Sequence, residues 1–270
     1  MMQRTDPVNP SAPGHLLRNP EELPTANRAS LAGFGGLHGG LLLGLLTGEL
    51  AASGIDRPLR FVTAQFHRPA KGTIEFATEE PEIGRSISRV RGSALDSGRT
   101  LMTATAVFSD AEGPTVSADI ATGVARSFPD VRPPEQCEPV LFPIEFVPFT
   151  QHLEIRPTDS NLPFRGGNRP TLSAWVRLVE DDDAPDVGRL IMLLDSMAPS
   201  LAGLLDYPAV LPTLELSVRL FSDLPAEDSP WILLHATTHH FEGGWLDERI
   251  DAWTPNGTLA GTATQVRLLR

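Results

Sequence analysis

Near its C-terminus the chain reads TATQV, Thr262–Val266, and 159 residues earlier it reads TATAV, Thr103–Val107. The two segments differ only at Gln265, which stands where the first copy has Ala106. Alternation along an extended segment places Gln265 on one face with Ala263, Arg267 and Leu269. Its amide offers two N–H donors and an acceptor oxygen, enough to hold a water molecule. With Arg267 beside it, that face equally suits solvent. A second polar residue in apolar company is Asp195, which follows RLIMLL and precedes SMAPSLAGLL. Apolar surroundings disfavour the charged form of a carboxylate and make it a stronger base toward water. A positioned base contributes about 10²–10⁴-fold in rate. Taken alone, Asp195 also fits a helix residue turned outward, or one bonding the backbone where Pro199 ends the helix. The hydroxyl of Thr213, after Pro212, either completes the hydrogen bonds of a water or merely suits the start of a strand.

Other chemistries find no support. His239 and His240 point to opposite faces of a strand and cannot share a metal there, and His38 and His67 are isolated. GFGGLHGG, Phe34–Gly40 with the preceding Gly33, lacks the Lys-Ser/Thr of a phosphate loop. No Gly-x-Ser-x-Gly elbow is present. TDSNLPF, Thr158–Phe164, resembles the Asp-and-His signature of hotdog hydratases but has no histidine. The single cysteine, Cys137, excludes an internal disulfide framework and fits a reducing cytosol. A net charge of −12 argues against a nucleic-acid partner, because counterion release needs clustered Lys and Arg.

The elements that must position these residues follow from periodicity. Phe34–Ser53 is apolar on almost every face and reads as an enclosed helix. Gly36, Gly40, Gly44 and Gly48 form a bare stripe along it. Each glycine costs about 1 kcal/mol relative to alanine in a helix interior, so a close approach, most simply to a sheet, is expected to offset it. Ala29–Gly48 has no charged residue and is about long enough to span a bilayer. Its glycines, the central His38 and the lack of a flanking basic cluster favour a buried helix in a soluble core. Four alternating segments follow, within Arg60–Arg68, Gly72–Glu80, Arg85–Leu95 and Thr100–Phe108. After a Pro-rich stretch the order returns: strands in HLEIRPT and RPTLSAWVRLVE, a helix in DVGRLIMLLDSMAPSLAGLL, then four more strands. Thr103, Ala104, Thr105 and Val107 recur at an offset of 159, and Pro58 recurs as Pro212 at 154, so one loop of the second copy is longer, within SDLPAEDSP. Each half is a central helix with a curved antiparallel sheet.

That duplicated arrangement resembles the double-hotdog proteins, and several stretches resemble the TesB-like type II acyl-CoA thioesterases. They are GFGGLHGG, RPLRFVTAQFHRPA and GRSISRVRGSALDSGRTLMTATAVF in the first half, and LLDSMAP, PTLELSVRLF and GTLAGTATQVRLL in the second. The resemblance implies an α+β double hotdog. Its parts would be an N-terminal arm with an edge strand around HLLR (1–30), a first repeat (31–126), a Pro-rich linker (127–150) and a second repeat carrying the polar residues (151–270). It implies hydrolysis of an acyl-CoA thioester, with Asp195 activating water and Thr213 and Gln265 orienting it. The first half has Leu41, Leu59 and Ala106 at the matching places. No metal or redox cofactor is expected. The backbone N–H groups of Gly35, Gly36, Gly39 and Gly40, entering the first helix, are candidate oxyanion donors. Residues 57–99 carry eight basic and five acidic side chains; Arg57, Arg60 and Arg68 are candidates for the coenzyme A phosphates, although ordinary solvated strand faces also explain them. A cytoplasmic homo-oligomer is expected, since exposed sheet edges are often covered by a partner. The alternatives are a non-catalytic acyl-CoA binding protein on the same fold, or an enzyme acting on acyl groups held by acyl carrier protein.

Overall fold

The computed structural model describes residues 11–110, 120, 125–180, 183–221, 224 and 229–270. Most of the SDLPAEDSP loop and the first ten residues lie outside that set.

The described residues begin with α1 (Pro13–Arg18) and a 3-10 turn (Pro20–Thr25), then α2 (Gly39–Ala51). The strands β1 (Leu59–Phe66), β2 (Glu75–Thr78), β3 (Glu82–Ile83), β4 (Ser88–Asp96) and β5 (Arg99–Phe108) follow. The second half supplies β6 (Leu153–Pro157), β7 (Thr171–Leu178), α3 (Val187–Leu193), a 3-10 turn (Ser200–Gly203), and β8 (Thr213–Arg219), β9 (Ile232–Glu242), β10 (Trp245–Trp253) and β11 (Leu259–Leu268). All eleven strands join one antiparallel sheet in the order β2-β4-β5-β1-β8-β11-β10-β9-β7-β6, with β3 beside β4. The expected edge strand at HLLR is instead helix α1. Pro13 presets the first helical φ, and Leu16 is fully buried in the main core.

The halves meet where β1 pairs with β8. Thr63 lies opposite Ser217, which is its own counterpart at the offset of 154, and their hydroxyls are 2.5 Å apart. A pseudo-twofold axis therefore passes through that pair. Moving outward, β5 corresponds to β11, and β4 to β10.

One face of the sheet packs on the two central helices. Every residue of α2 from Gly40 to Thr47 is buried, as its all-round apolar pattern requires. The helices run antiparallel. A Cβ on Gly40 would come within 2.9 Å of the Met192 carbonyl, and one on Gly44 within 3.0 Å of the Gly188 carbonyl. The close approach behind the glycine stripe is thus mainly to α3, not to the sheet. Gly36 meets the backbone of Ala70 instead, and Gly48 meets nothing within 4 Å.

The opposite face of the second half is covered by the Pro-rich segment. Trp175, Leu233 and Trp253 stand in register on β7, β9 and β10, and Phe128, Val131 and Cys137 close over them. The Trp175 indole donates to the Arg132 carbonyl at 2.8 Å. Arg156 and Arg177 both lie 5.2 Å from the Trp231 ring, with Glu154 ion-paired to each.

Candidate active site

α2 begins five residues later than its apolar pattern. Gly35 has a φ of +83°, which only glycine adopts without strain, and His38 caps the helix by accepting the Leu41 N–H at Nδ1, 3.2 Å away. α3 ends earlier than its pattern. Leu194 is its C-cap, so Asp195 lies in the turn after the helix, where its N–H donates to the Met192 carbonyl. The antiparallel packing sets this turn against the start of α2.

There the Asp195 carboxylate is buried. Its Oδ2 accepts the Gly40 N–H at 2.7 Å, a charge-assisted bond at a helix N-terminus. Its Oδ1 accepts from the Thr213 hydroxyl at 3.4 Å. The same hydroxyl lies 2.8 Å from Gln265 Oε1, and Gln265 Nε2 donates to the Leu194 carbonyl at 3.2 Å. A carbonyl can only accept, which fixes the amide orientation. Asp195, Thr213 and Gln265 are therefore one hydrogen-bonded cluster formed by a helix end, the start of β8 and β11. Burial of Gln265 is 99% complete. Their counterparts Leu41, Leu59 and Ala106 are core residues, so only one of the two pseudo-equivalent places is polar.

The glycines divide. Gly40 gives its N–H to Asp195. Gly39 approaches Asp195 Oδ2 and the Phe66 ring so closely that a Cβ would lie 3.1 Å from each, and its N–H has no acceptor among the described residues. Gly35 and Gly36 form the preceding turn, where Gly36 abuts Ala70 and Leu37 N–H bonds the Ala70 carbonyl. They shape the entry and lie off the carboxylate.

The arginines expected to meet phosphates are not gathered at this cluster. The cluster sits at the Phe66 end of β1. Arg60 is six residues back along the strand, about 20 Å. It bonds the Ser109 carbonyl, and Arg57 binds the Gly84 and Arg85 carbonyls and Ser88. Both tie loops at the far end. Arg68 is on the correct end of β1 and donates to the Thr100 carbonyl.

Three charged or titratable residues at the cluster were missed by their sequence signals. His38 Nε2 lies 3.1 Å from the Asp195 carbonyl and 3.8 Å from Oδ2, and its ring stacks on Phe149 at 3.8 Å. Since Nδ1 accepts from Leu41, Nε2 carries the proton and donates. Burial lowers the His38 pKa, outweighing the opposing pull of the Asp195 charge, so the ring is neutral. Its place just before Gly39, three residues from Leu41, was a helix-cap signal. Arg267 is buried, with Nη2 3.8 Å from Asp195 Oδ1 and Nε 3.0 Å from Glu248 Oε2. Alternation had already put Arg267 on Gln265's face, so if one is inside, both are. Glu248 lies directly across the β10–β11 ladder from Gln265, a pairing that needs the register.

Comparisons with known proteins accord with this arrangement. The acyl-CoA thioesterase N-terminal domain family matches residues 28–109, and the acyl-CoA thioesterase C-terminal domain family matches residues 134–269. A conserved protein of unknown function with a hot dog fold from Alicyclobacillus acidocaldarius superposes with a TM-score of 0.77 at 22% identity, over 90% of each chain. A candidate thioesterase II from Thermobifida fusca superposes at 0.76 and 22%, over 91% of this chain and 90% of that one. The acyl-CoA thioesterase II TesB2 of Mycobacterium marinum superposes at 0.67 and 16%, over 86% and 88%. At these identities the structures establish the double-hotdog fold. No curated protein matches the sequence.

Proposed function

We propose that this chain, which belongs to the acyl-CoA thioesterase family, hydrolyses acyl-CoA thioesters by direct attack of water activated by Asp195. The observation that carries the reading is the buried Asp195–Thr213–Gln265 cluster at the N-terminus of α2. It puts a carboxylate, a hydroxyl and an amide within reach of one water, in a partly buried site.

In this reading Asp195 takes a proton from the water as its oxygen attacks the thioester carbonyl carbon. Thr213 and the second N–H of the Gln265 amide fix the water's direction. The Gly39 N–H, unpaired at the positive end of α2, receives the developing oxyanion. The carbon–sulfur bond then breaks, the proton on Asp195 passes to the leaving thiolate, and the products are the free acid and coenzyme A. No covalent intermediate forms, and neither a metal nor a redox group takes part.

Thiol release from short-, medium- and long-chain acyl-CoA tests this, with wild type beside Asp195→Asn and Gln265→Ala. Wild type should turn over at least one chain length, Asp195→Asn should lose at least about 10²-fold in kcat while still binding ligand, and Gln265→Ala should lose most activity. A wild type that binds acyl-CoA and hydrolyses none makes the chain a binding protein; release from acyl carrier protein alone changes the carrier.

A further inference from the structure

Phe66 closes β1 on the helix-facing side of the sheet, in alternation with the buried Val62 and Ala64. Its ring tip reaches the first residue of α2. A Cβ on Gly39 would lie 3.1 Å from Phe66 Cε1 and 3.3 Å from Cζ, and 3.1 Å from Asp195 Oδ2. The Gly39 backbone is therefore held between the carboxylate and an aromatic edge. The chain is fixed on both sides of the ring. Before it, β1 pairs with β5. After it, the His67 and Arg68 N–H groups donate to the Leu101 carbonyl, Pro69 and Ala70 press on Gly36, and the Ala70 carbonyl accepts the Leu37 N–H. The half-buried ring stands between that turn and the core.

A thioester oxygen bound by the Gly39 N–H, at about 2.7–3.1 Å, has these two neighbours. The carboxylate side must hold the attacking water. The part of the substrate that faces the ring meets carbon only. The pantetheine arm of coenzyme A carries amides, whose burial without partners is costly, whereas an acyl chain is apolar. The acyl group is therefore the part that goes to Phe66. Past the ring the same face of the sheet stays apolar and buried: Met102 lies across the ladder from Phe66, and Ala64 and Ala104 form the next row. With its tip against α2, the ring bars that way.

We infer that Phe66 is a specificity-determining residue, a stop that limits the acyl group to short chains. The inference rests on Gly39 being the oxyanion donor of the proposed hydrolysis. It names the substrate class as acyl-CoA whose chain ends at the ring. A role in packing alone would cost Phe66 variants stability without reordering their substrates.

The test is kcat/KM on acetyl-, butyryl-, octanoyl- and palmitoyl-CoA for wild type, Phe66→Ala and Phe66→Leu. Wild type should prefer acetyl or butyryl. Phe66→Ala should raise the octanoyl-to-butyryl ratio by at least about 10-fold, the discrimination that one methylene in an apolar pocket supplies. Phe66→Leu keeps apolar volume and removes the ring tip. It should shift the ratio the same way by less, and it carries the test if the alanine variant does not fold. Calorimetric Kd values for the same series, measured in the Asp195→Asn background, read the preference without turnover. A wild type that hydrolyses none of the series, with a binding order that shifts toward longer chains in the Phe66 variants, overturns the hydrolase reading and keeps the stop. Variants that keep the wild-type order, or a wild type that prefers octanoyl or palmitoyl, overturn the inference; the hydrolase reading then stands as long as Asp195→Asn is inactive.

Discussion

Thr213 is the residue on which the cluster turns. Its single hydroxyl hydrogen is shared between Gln265 Oε1 at 2.8 Å and Asp195 Oδ1 at 3.4 Å. Thr213→Val keeps the shape and leaves a buried amide oxygen without a donor. That costs about 1–3 kcal/mol, which corresponds to roughly 5–150-fold if it falls on the transition state. Steady-state kinetics should show kcat lower by about that factor for Val and close to wild type for Thr213→Ser. A Val variant as active as wild type excludes the hydroxyl from the chemistry. The divergence of TATQV from TATAV made Gln265 visible in the sequence, because a polar residue had replaced an alanine within a repeated core segment. Arg267 leaves that face equally suited to solvent in the sequence, since its charge offsets the apolar context. Only the Glu248 partner explains why an arginine can stand inside, and that partner comes from another strand.

Helix α2 shows what an element's sequence does and does not disclose. Enclosure on all sides was legible, because its apolar residues leave no polar face. What lay against the glycines was not, since the stripe specifies a close approach without naming the neighbour. The early end of α3, which frees Asp195 into a turn, was equally hidden within an apolar run. The packing gives opposite signs to one substitution on one helix. A Cβ on Gly44 meets Leu17 Cδ2 at 2.8 Å and the Gly188 carbonyl at 3.0 Å; on exposed Gly48 it meets nothing. Gly48→Ala should therefore gain up to about 1 kcal/mol from helix propensity. Gly44→Ala should lose about 1–3 kcal/mol, as overpacking against backbone does. Urea denaturation of the two variants measures both; equal gains mean that α2 and α3 are farther apart than described.

At the scale of the whole molecule, two similar halves share one sheet and differ in what they enclose. The repeat was legible from its offsets, and the Thr63–Ser217 pair locates its axis, but the joining of β1 to β8 follows from no local pattern. Nor did prolines disclose that residues 126–137 roof the second half; they mark where regular structure stops, not what the chain then covers. Stability also depends on pH through histidines buried by the fold. His38 lies between the two central helices, and His235 lies on β9, across from Asp251 and Ser173. Burial lowers the pKa of both, against the pull of nearby carboxylates. The unfolded chain takes up protons at the ordinary histidine value of about 6.5, whereas the fold resists them. Below that value the unfolded state binds more protons, so stability is fully present above it and falls as pH decreases toward the lowered folded values. The slope is at most about 1.4 kcal/mol per pH unit for each histidine. His38→Asn retains an oxygen to cap α2 and has no proton to refuse. Its melting temperature should fall less steeply than that of wild type between neutral and mildly acidic pH. Parallel curves for the two proteins would assign the acid sensitivity to other groups and remove His38 from the account.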